Sequence, residues 1–197
     1  MTLMHIRLLL WVLVALAGVG MAVLLLRQPE DRVSTEQPIA IGGPFSLIGS
    51  DGKTFSSAQL SGEPYAIFFG FTHCPDVCPT TLARLAKLRR QLGRGDNSFA
   101  ILFVTVDPER DGPEEVGRYT ALFGTPVIGL TGSQAQIDRV KKQFGVFSRK
   151  VEQPDSVYSV DHTAATFLFG PDGKFVATIS PEEDDAAAMA KLKRIIG

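Results

Sequence analysis

The chain has 197 residues, of which 45% are hydrophobic and 21% charged, and a formal net charge of −1. That length accommodates one anchored domain with a substantial core and is short for two. Near neutrality excludes the basic field that a nucleic-acid partner needs, and the apolar content excludes a disordered chain.

After a short tail over residues 1–7, the stretch "LLLWVLVALAGVGMAVLLL" from Leu8 to Leu26 carries no charge and is bracketed by Arg7 and Arg27. About 20 such residues in a helix cross a bilayer. The apolar part of a cleaved signal peptide is shorter, about 7–15 residues, and ends at a small-residue site. Here "LLLRQPEDR" follows instead, so residues 8–26 are expected to be an uncleaved transmembrane anchor. Arg7 before the span is offset by Arg27 and Arg32 after it, so charge does not fix the orientation. The short tail makes a cytoplasmic amino terminus the simpler topology, with residues 27–197 on the outer face. No Arg- and Ser-rich amphipathic segment precedes the anchor, which favours the bacterial inner membrane, with the domain facing the periplasm.

Residues 27–40, "RQPEDRVSTEQPIA", are polar and carry no apolar period, as a linker does. The domain, residues 41–197, opens with a hairpin around Ser50-Asp51-Gly52. The apolar run "YAIFFGF" suits a central strand buried on both faces. Leu82, Leu85, Leu88 and Leu92 recur at helical spacing, and Gly93 is a plausible stop. "FAILFVTVD" follows as a second buried strand, "PEEVGRYTALFG" as a helix with Pro113 in its first turn, and "VIGL" as a short strand. "SQAQIDRVKKQFG" is a helix capped by Ser133 and closed by Gly145. The polar segment "SRKVEQPDSVYSV" reads as a long connecting loop, of the kind that is functional or solvated. "AATFLFG" and "KFVATIS" form a hairpin across Pro171-Asp172-Gly173, and a last helix covers roughly residues 182–196. Strands alternating with helices, then a terminal hairpin and helix, predict an α/β domain with a mixed central sheet and helices on both faces.

Both cysteines lie in "GFTHCPDVCPTTL", after the first central strand and at the opening of the first helix, the position of the motif in a thioredoxin-like fold. Ligands of such sheets collect at the carboxyl ends of the strands. Cys78 precedes Pro79, which suits the first helical position, so Cys78 is expected near the N-cap and Cys74 in the loop before it. Helix-end amides favour thiolates there. An outer-face location also permits a disulfide, so the thiols alone leave metal binding and redox chemistry open.

Of the three histidines, His5 falls on the other side of the membrane in the preferred topology. His162 sits in "YSVDHTAATFLF", in the loop expected just before a strand. Two thiolates with one imidazole form a soft set suited to Cu(I) and able to accept Cu(II). Zinc usually wants a fourth ligand, and there is no third cysteine. A single loop histidine is, however, as a class more often a surface residue.

Three blocks in this order, "FTHCPDVCPTTL", "VTVDPERD" and "VDHTAATFLFGPDGKF", resemble the Sco/SenC family of copper-binding proteins from about Ile41 to the carboxyl end. The resemblance implies a thioredoxin fold and copper held by Cys74, Cys78 and His162. It also implies a metallochaperone that assists assembly of the copper A centre of cytochrome c oxidase. The partners would be oxidase subunit II or another copper-receiving protein, together with a periplasmic copper donor or thiol reductase. Asp161 either orients His162 or is an ordinary turn aspartate, and Asp107 either supports the site or organises a turn. His73 should point away from its neighbour Cys74, and Asp76 is expected to cap the helix.

The rival is an enzyme: a thiol–disulfide reductase that keeps the cysteines of an oxidase subunit reduced, with Cys74 and Cys78 as attacking and resolving thiols. Against a general oxidoreductase stand the three-residue spacing and His162-Thr163 in the region where thioredoxins carry a cis-proline. A peroxiredoxin pattern would need a proline and a threonine where the chain has Phe71 and Pro75.

Overall fold

The computed structural model describes residues 3–26, 41–153 and 156–197, so the expected linker, residues 27–40, falls outside them. The chain divides into two compact units, Met1–Ile39 and Ala40–Gly197.

In the first unit, α1 (Leu3–Leu26) is a helix of 24 residues whose large apolar side chains, among them Leu8, Trp11 and Leu16, are exposed. Among the described residues, nonetheless, no helix is long and apolar enough to cross a membrane. The anchor therefore rests on the sequence run alone.

Among the described residues, the second unit contains nine strands. β1 (Ser46–Gly49) and β2 (Thr54–Ser56) form the expected hairpin. β3 (Tyr65–Gly70) and β4 (Ala100–Thr105) are buried at every position, and their apolar runs carry no alternation because both faces of the sheet are covered. With β5 (Ile128–Thr131), β8 (Thr166–Phe169) and β9 (Phe175–Ile179) they give a seven-stranded sheet in the order β2-β1-β5-β4-β3-β8-β9. β3, β4 and β5 are parallel; β1 runs antiparallel to β5, β8 to β3 and β9 to β8. The sheet is therefore mixed, as expected.

The helices follow their sequence signals. α2 (Val77–Gln91) buries Leu82, Leu85 and Leu88. α3 (Pro113–Thr120) starts on its proline. α4 (Gln134–Phe144) carries a complete capping box between Ser133 and Gln136, and ends on Gly145 at φ 65°, a left-handed conformation that glycine adopts without steric penalty. α5 (Asp185–Ile196) begins three residues later than expected, because Asp184 accepts the N–H of Ala187 and sets the cap.

The polar segment after α4 is not a loop. β6 (Ser148–Gln153) and β7 (Ser156–His162) pair as an antiparallel hairpin that forms its own two-stranded sheet. Valines and a tyrosine alternating with polar residues support a ladder there, a pattern masked in sequence by the charges. His162 is accordingly the last residue of a strand, and not a loop residue.

Candidate metal centre

β3 delivers the chain at Gly70, and the turn that follows is closed by the Cys74 N–H donating to the Phe71 carbonyl (3.2 Å). α2 starts at Val77, so Cys78 is its second residue and Pro79 its third, two positions further into the helix than expected. The proline is tolerated because an N–H at the third position has no intrahelical partner to lose. Asp76 occupies the N-cap position without making a side-chain cap bond; it accepts instead from the Thr80 hydroxyl (3.3 Å). The acceptor at the helix start is the Cys74 sulfur, which takes the Cys78 N–H at 3.4 Å. The positive end of α2 is thus aimed at a sulfur.

His162 arrives from the end of β7. Its Nδ1 lies 3.0 Å from the Thr163 carbonyl; a carbonyl only accepts, so Nδ1–H donates and Nε2 presents a lone pair. Nε2 lies 3.4 Å from Cys78 Sγ. Phe68 and Phe71 stand edge-on to the imidazole, with centroids at 6.0 and 5.8 Å, and fix its plane. One ligand atom from each of Cys74, Cys78 and His162 falls within 4.8 Å of the others, and among the described residues this is the only such group of metal-ligating side chains.

The space for the buried thiol is kept by a glycine. A Cβ at Gly70 would lie 2.8 Å from Cys78 Sγ and 3.0 Å from Phe103 Cε2 and Phe68 Cε1, closer than unbonded atoms approach. Three soft donors, one of them seated in a cradle that a methyl would fill, suit a thiophilic ion such as copper.

The two thiols are electrostatically unequal. A hydrogen bond from Cys78 lowers Cys74 to about 4, aided by the backbone N–H groups of Cys78 and Asp76, against partial desolvation. Cys78 moves the other way, pushed up by its hydrogen bond to Cys74 and then by burial. Cys74 is half-buried and Cys78 buried, so the negative charge is favoured on Cys74 and the proton on Cys78.

The remaining candidates divide. Asp107 is buried, accepting from the Tyr158 hydroxyl (2.8 Å) and Arg110 Nε (2.5 Å). Arg110 also donates to the Tyr158 carbonyl (2.9 Å) and lies 3.9 Å over its ring. Asp107 thus ties the loop after β4 to the hairpin that carries His162. Asp161 does neither thing considered for it: it sits within β7 and its exposed carboxylate pairs with Arg149 (3.2 Å), while the Thr163 carbonyl orients the imidazole. His73 turns away from the cysteines toward Thr72 Oγ1 (3.1 Å) and Asp111 (3.6 Å).

Sequence reasoning missed Asp111. Its carboxylate, fully buried, accepts from the Thr72 N–H (2.9 Å), the Thr72 hydroxyl (2.6 Å) and the Thr105 hydroxyl (2.7 Å). The available signal was the second acid of "DPERD". An acid is usually exposed, so its burial was not legible.

The unequal thiols give a direct expectation. Because Cys74 is already ionised far below neutrality, its alkylation by iodoacetamide should be nearly flat between pH 6 and 8 in the reduced protein. A free cysteine accelerates about ten-fold per pH unit over that range. Cys78 should stay unmodified until the protein is denatured. Peptide mapping after timed quenching measures both, and equal modification of the two thiols would refute the asymmetry.

The SCO1/SenC family model matches residues 33–197. A SCO2-like protein of Rickettsia felis is 38% identical over 170 residues, covering 82% of this chain and 83% of the relative. The mitochondrial Protein SCO1 homolog 1 of Arabidopsis thaliana is 40% identical over 146 residues, 74% of this chain but only 44% of the relative's length. Among solved structures, ScoI of Bradyrhizobium japonicum with copper bound matches at a TM-score of 0.72 and 40% identity, covering 79% of this chain and 99% of that one. With the family model spanning the domain and its two ligand-bearing segments in place, the chain belongs to the SCO1/SenC family.

Proposed function

We propose that this protein is a membrane-anchored copper metallochaperone, which carries copper on Cys74, Cys78 and His162 and assists assembly of the copper A centre of cytochrome c oxidase. The observation that carries the proposal is the convergence of three soft donor atoms within 4.8 Å, in a family with a copper-bound structure. Copper is the cargo. Cys74 offers an ionised sulfur and His162 a free Nε2, while Cys78 must release its proton to join them, so binding strengthens as pH rises. Loading Cu(I) at neutral pH should release about one proton per metal, measured by calorimetry in buffers of different ionisation enthalpy.

Ligand variants test the assignment. Cys74→Ser or Cys78→Ser should nearly abolish Cu(I) binding in competition with a chelator, because hydroxyl oxygen is a poor ligand for a soft ion. His162→Ala leaves both sulfurs, so Cu(I) should be partly retained while Cu(II) binding suffers more. Unchanged Cu(II) binding in that variant would show the ligand set to be wrong.

The membrane part of the proposal places residues 8–26 across the bacterial inner membrane and the domain on the periplasmic side. It is supported by the uncharged run bracketed by Arg7 and Arg27. The full chain should remain in the membrane pellet after a carbonate wash; release into the supernatant would overturn the anchor.

A second reading rests on the thiol asymmetry. A half-exposed thiolate beside a buried thiol is also the layout of an attacking and a resolving sulfur. In a reductase, Cys74 would attack the partner's disulfide to give a mixed disulfide and one partner thiol; Cys78 would then attack the Cys74 sulfur, closing a Cys74–Cys78 disulfide and releasing the second partner thiol, so two electrons pass from the cysteine pair to the partner. Stoichiometric reduction of an oxidised copper A domain by the copper-free protein, lost in Cys74→Ser, would favour this reading. Copper transfer without any change in the partner's thiol count would exclude it.

A further inference from the structure

Side chains alternate along a strand, so Tyr158, Val160 and His162 of β7 share one face, and Ser159 and Asp161 the other. The second face is turned to solvent: Asp161 is exposed and pairs with Arg149 of β6 (3.2 Å). Each member of the first face reaches into the rest of the unit. Val160 is 6% exposed and belongs to the hydrophobic core. His162 Nε2 lies 3.4 Å from Cys78 Sγ. Tyr158, four residues before the imidazole, donates its hydroxyl to the buried Asp107 (2.8 Å).

Among the described residues, β6 and β7 bond only to each other, and the Phe147–Thr163 bonds continue that pairing beyond Ser148 and His162. No backbone rung from the seven-stranded sheet fixes His162, so its inward neighbours must. Val160 supplies an apolar contact without direction. Tyr158 supplies a directed one. Its ring lies 3.9 Å from the Arg110 guanidinium carbon and 4.6 Å from Lys150 Nζ, and its carbonyl accepts from Arg110 Nη1 (2.9 Å). Arg110 Nε in turn donates to the Asp107 carboxylate (2.5 Å). The same guanidinium lies 5.9 Å from the centroid of Phe71, which stands edge-on to the imidazole and whose carbonyl closes the Cys74 turn. One arginine thus adjoins a ring on the histidine strand and a ring in the cysteine loop. A tyrosine at the margin of a core is ordinary in itself. Here its polar end meets a carboxylate that is buried too, which sets a geometry as well as covering area.

We propose that Tyr158 is a positioning residue for the metal: its contact with Asp107 and Arg110 keeps the end of β7 in place, and so governs how fast the His162 imidazole leaves a bound ion. The two sulfurs belong to other elements, the β3–α2 turn and α2, and keep their places without it. The consequence is selective between oxidation states. Cu(II), which leans on the nitrogen donor, depends on this contact, whereas Cu(I) rests on the two sulfurs. This inference rests on the copper-site reading above and adds the residue that controls release from that site.

The test compares the full chain in detergent with its Tyr158→Phe variant, which removes the hydroxyl donor and keeps the ring beside Arg110. In the copper-free proteins, amide hydrogen exchange over residues 156–162, read by mass spectrometry, should quicken about ten-fold, the weight of one hydrogen bond to a carboxylate. Peptides of β3 and β4 should keep their parental rates. In the loaded proteins, Cu(II) should pass to excess chelator about ten-fold faster, because the imidazole must open first, and Cu(I) at close to the parental rate. Arg149→Gln, which breaks only the solvent-side pair beside His162, should match the parent in both measurements. Unchanged hairpin exchange or unchanged Cu(II) release in Tyr158→Phe would overturn the inference. So would equal acceleration of Cu(I) and Cu(II), or exchange quickened throughout the unit, since either is a general loosening and no grip on the imidazole. A parent that takes up no Cu(II) removes the copper reading and this inference with it, an outcome that the copper-free exchange separates from failure of the contact itself.

Discussion

The buried carboxylate of Asp111 holds the Thr72 amide, the Thr72 hydroxyl and the Thr105 hydroxyl at once, and in doing so fastens the start of the cysteine loop to the end of β4. Hydrogen bonds to a charged acceptor contribute about 1.5–3 kcal/mol each, so this junction outweighs any exposed ion pair on the domain. In the same loop, Asp107, four residues earlier, and Arg110, one residue earlier, grip Tyr158 of the hairpin. Cys78 and His162 are 84 residues apart in sequence. They meet because one short loop, "DPERD", holds the segment of each.

That arrangement also explains how a charged sulfur persists next to a hydrophobic core. Cys74 lies on the solvent side and receives the Cys78 N–H, so the helix end stabilises it. Cys78 lies on the core side, behind Gly70 and among Phe68 and Phe103, where a second negative charge is penalised by burial and by its neighbour. The pair therefore keeps one proton in the interior. The phenylalanine edges around His162 hold its free nitrogen beside the Cys78 sulfur.

Most of the scaffold was legible because its signals are local. Apolar runs without alternation marked β3 and β4, leucines at helical spacing marked α2, and Ser133 with Gln136 and Gly145 marked both ends of α4. The three donors were named from motif and family resemblance, and the coordinates bring them together. What escaped was tertiary in origin. The β6–β7 strands were hidden by charges that turn out to pair across strands or onto the "DPERD" loop. The roles of Asp111, Tyr158 and Arg110 depend on partners more than 30 residues away in sequence. The pairing of Asp161 with Arg149 was not legible because adjacency in sequence says little within a strand, where successive side chains point to opposite faces.

The hairpin carrying His162 shares no ladder with the seven-stranded sheet. Lifting it breaks the Tyr158 grip and the Lys150–Glu109 pair but no rung of β3, β4 or β8. Val160 nonetheless anchors the hairpin in the core, so the hold on the imidazole is set by side-chain contacts, whereas the hold on the sulfurs is set by the ladder of β3 and the start of α2.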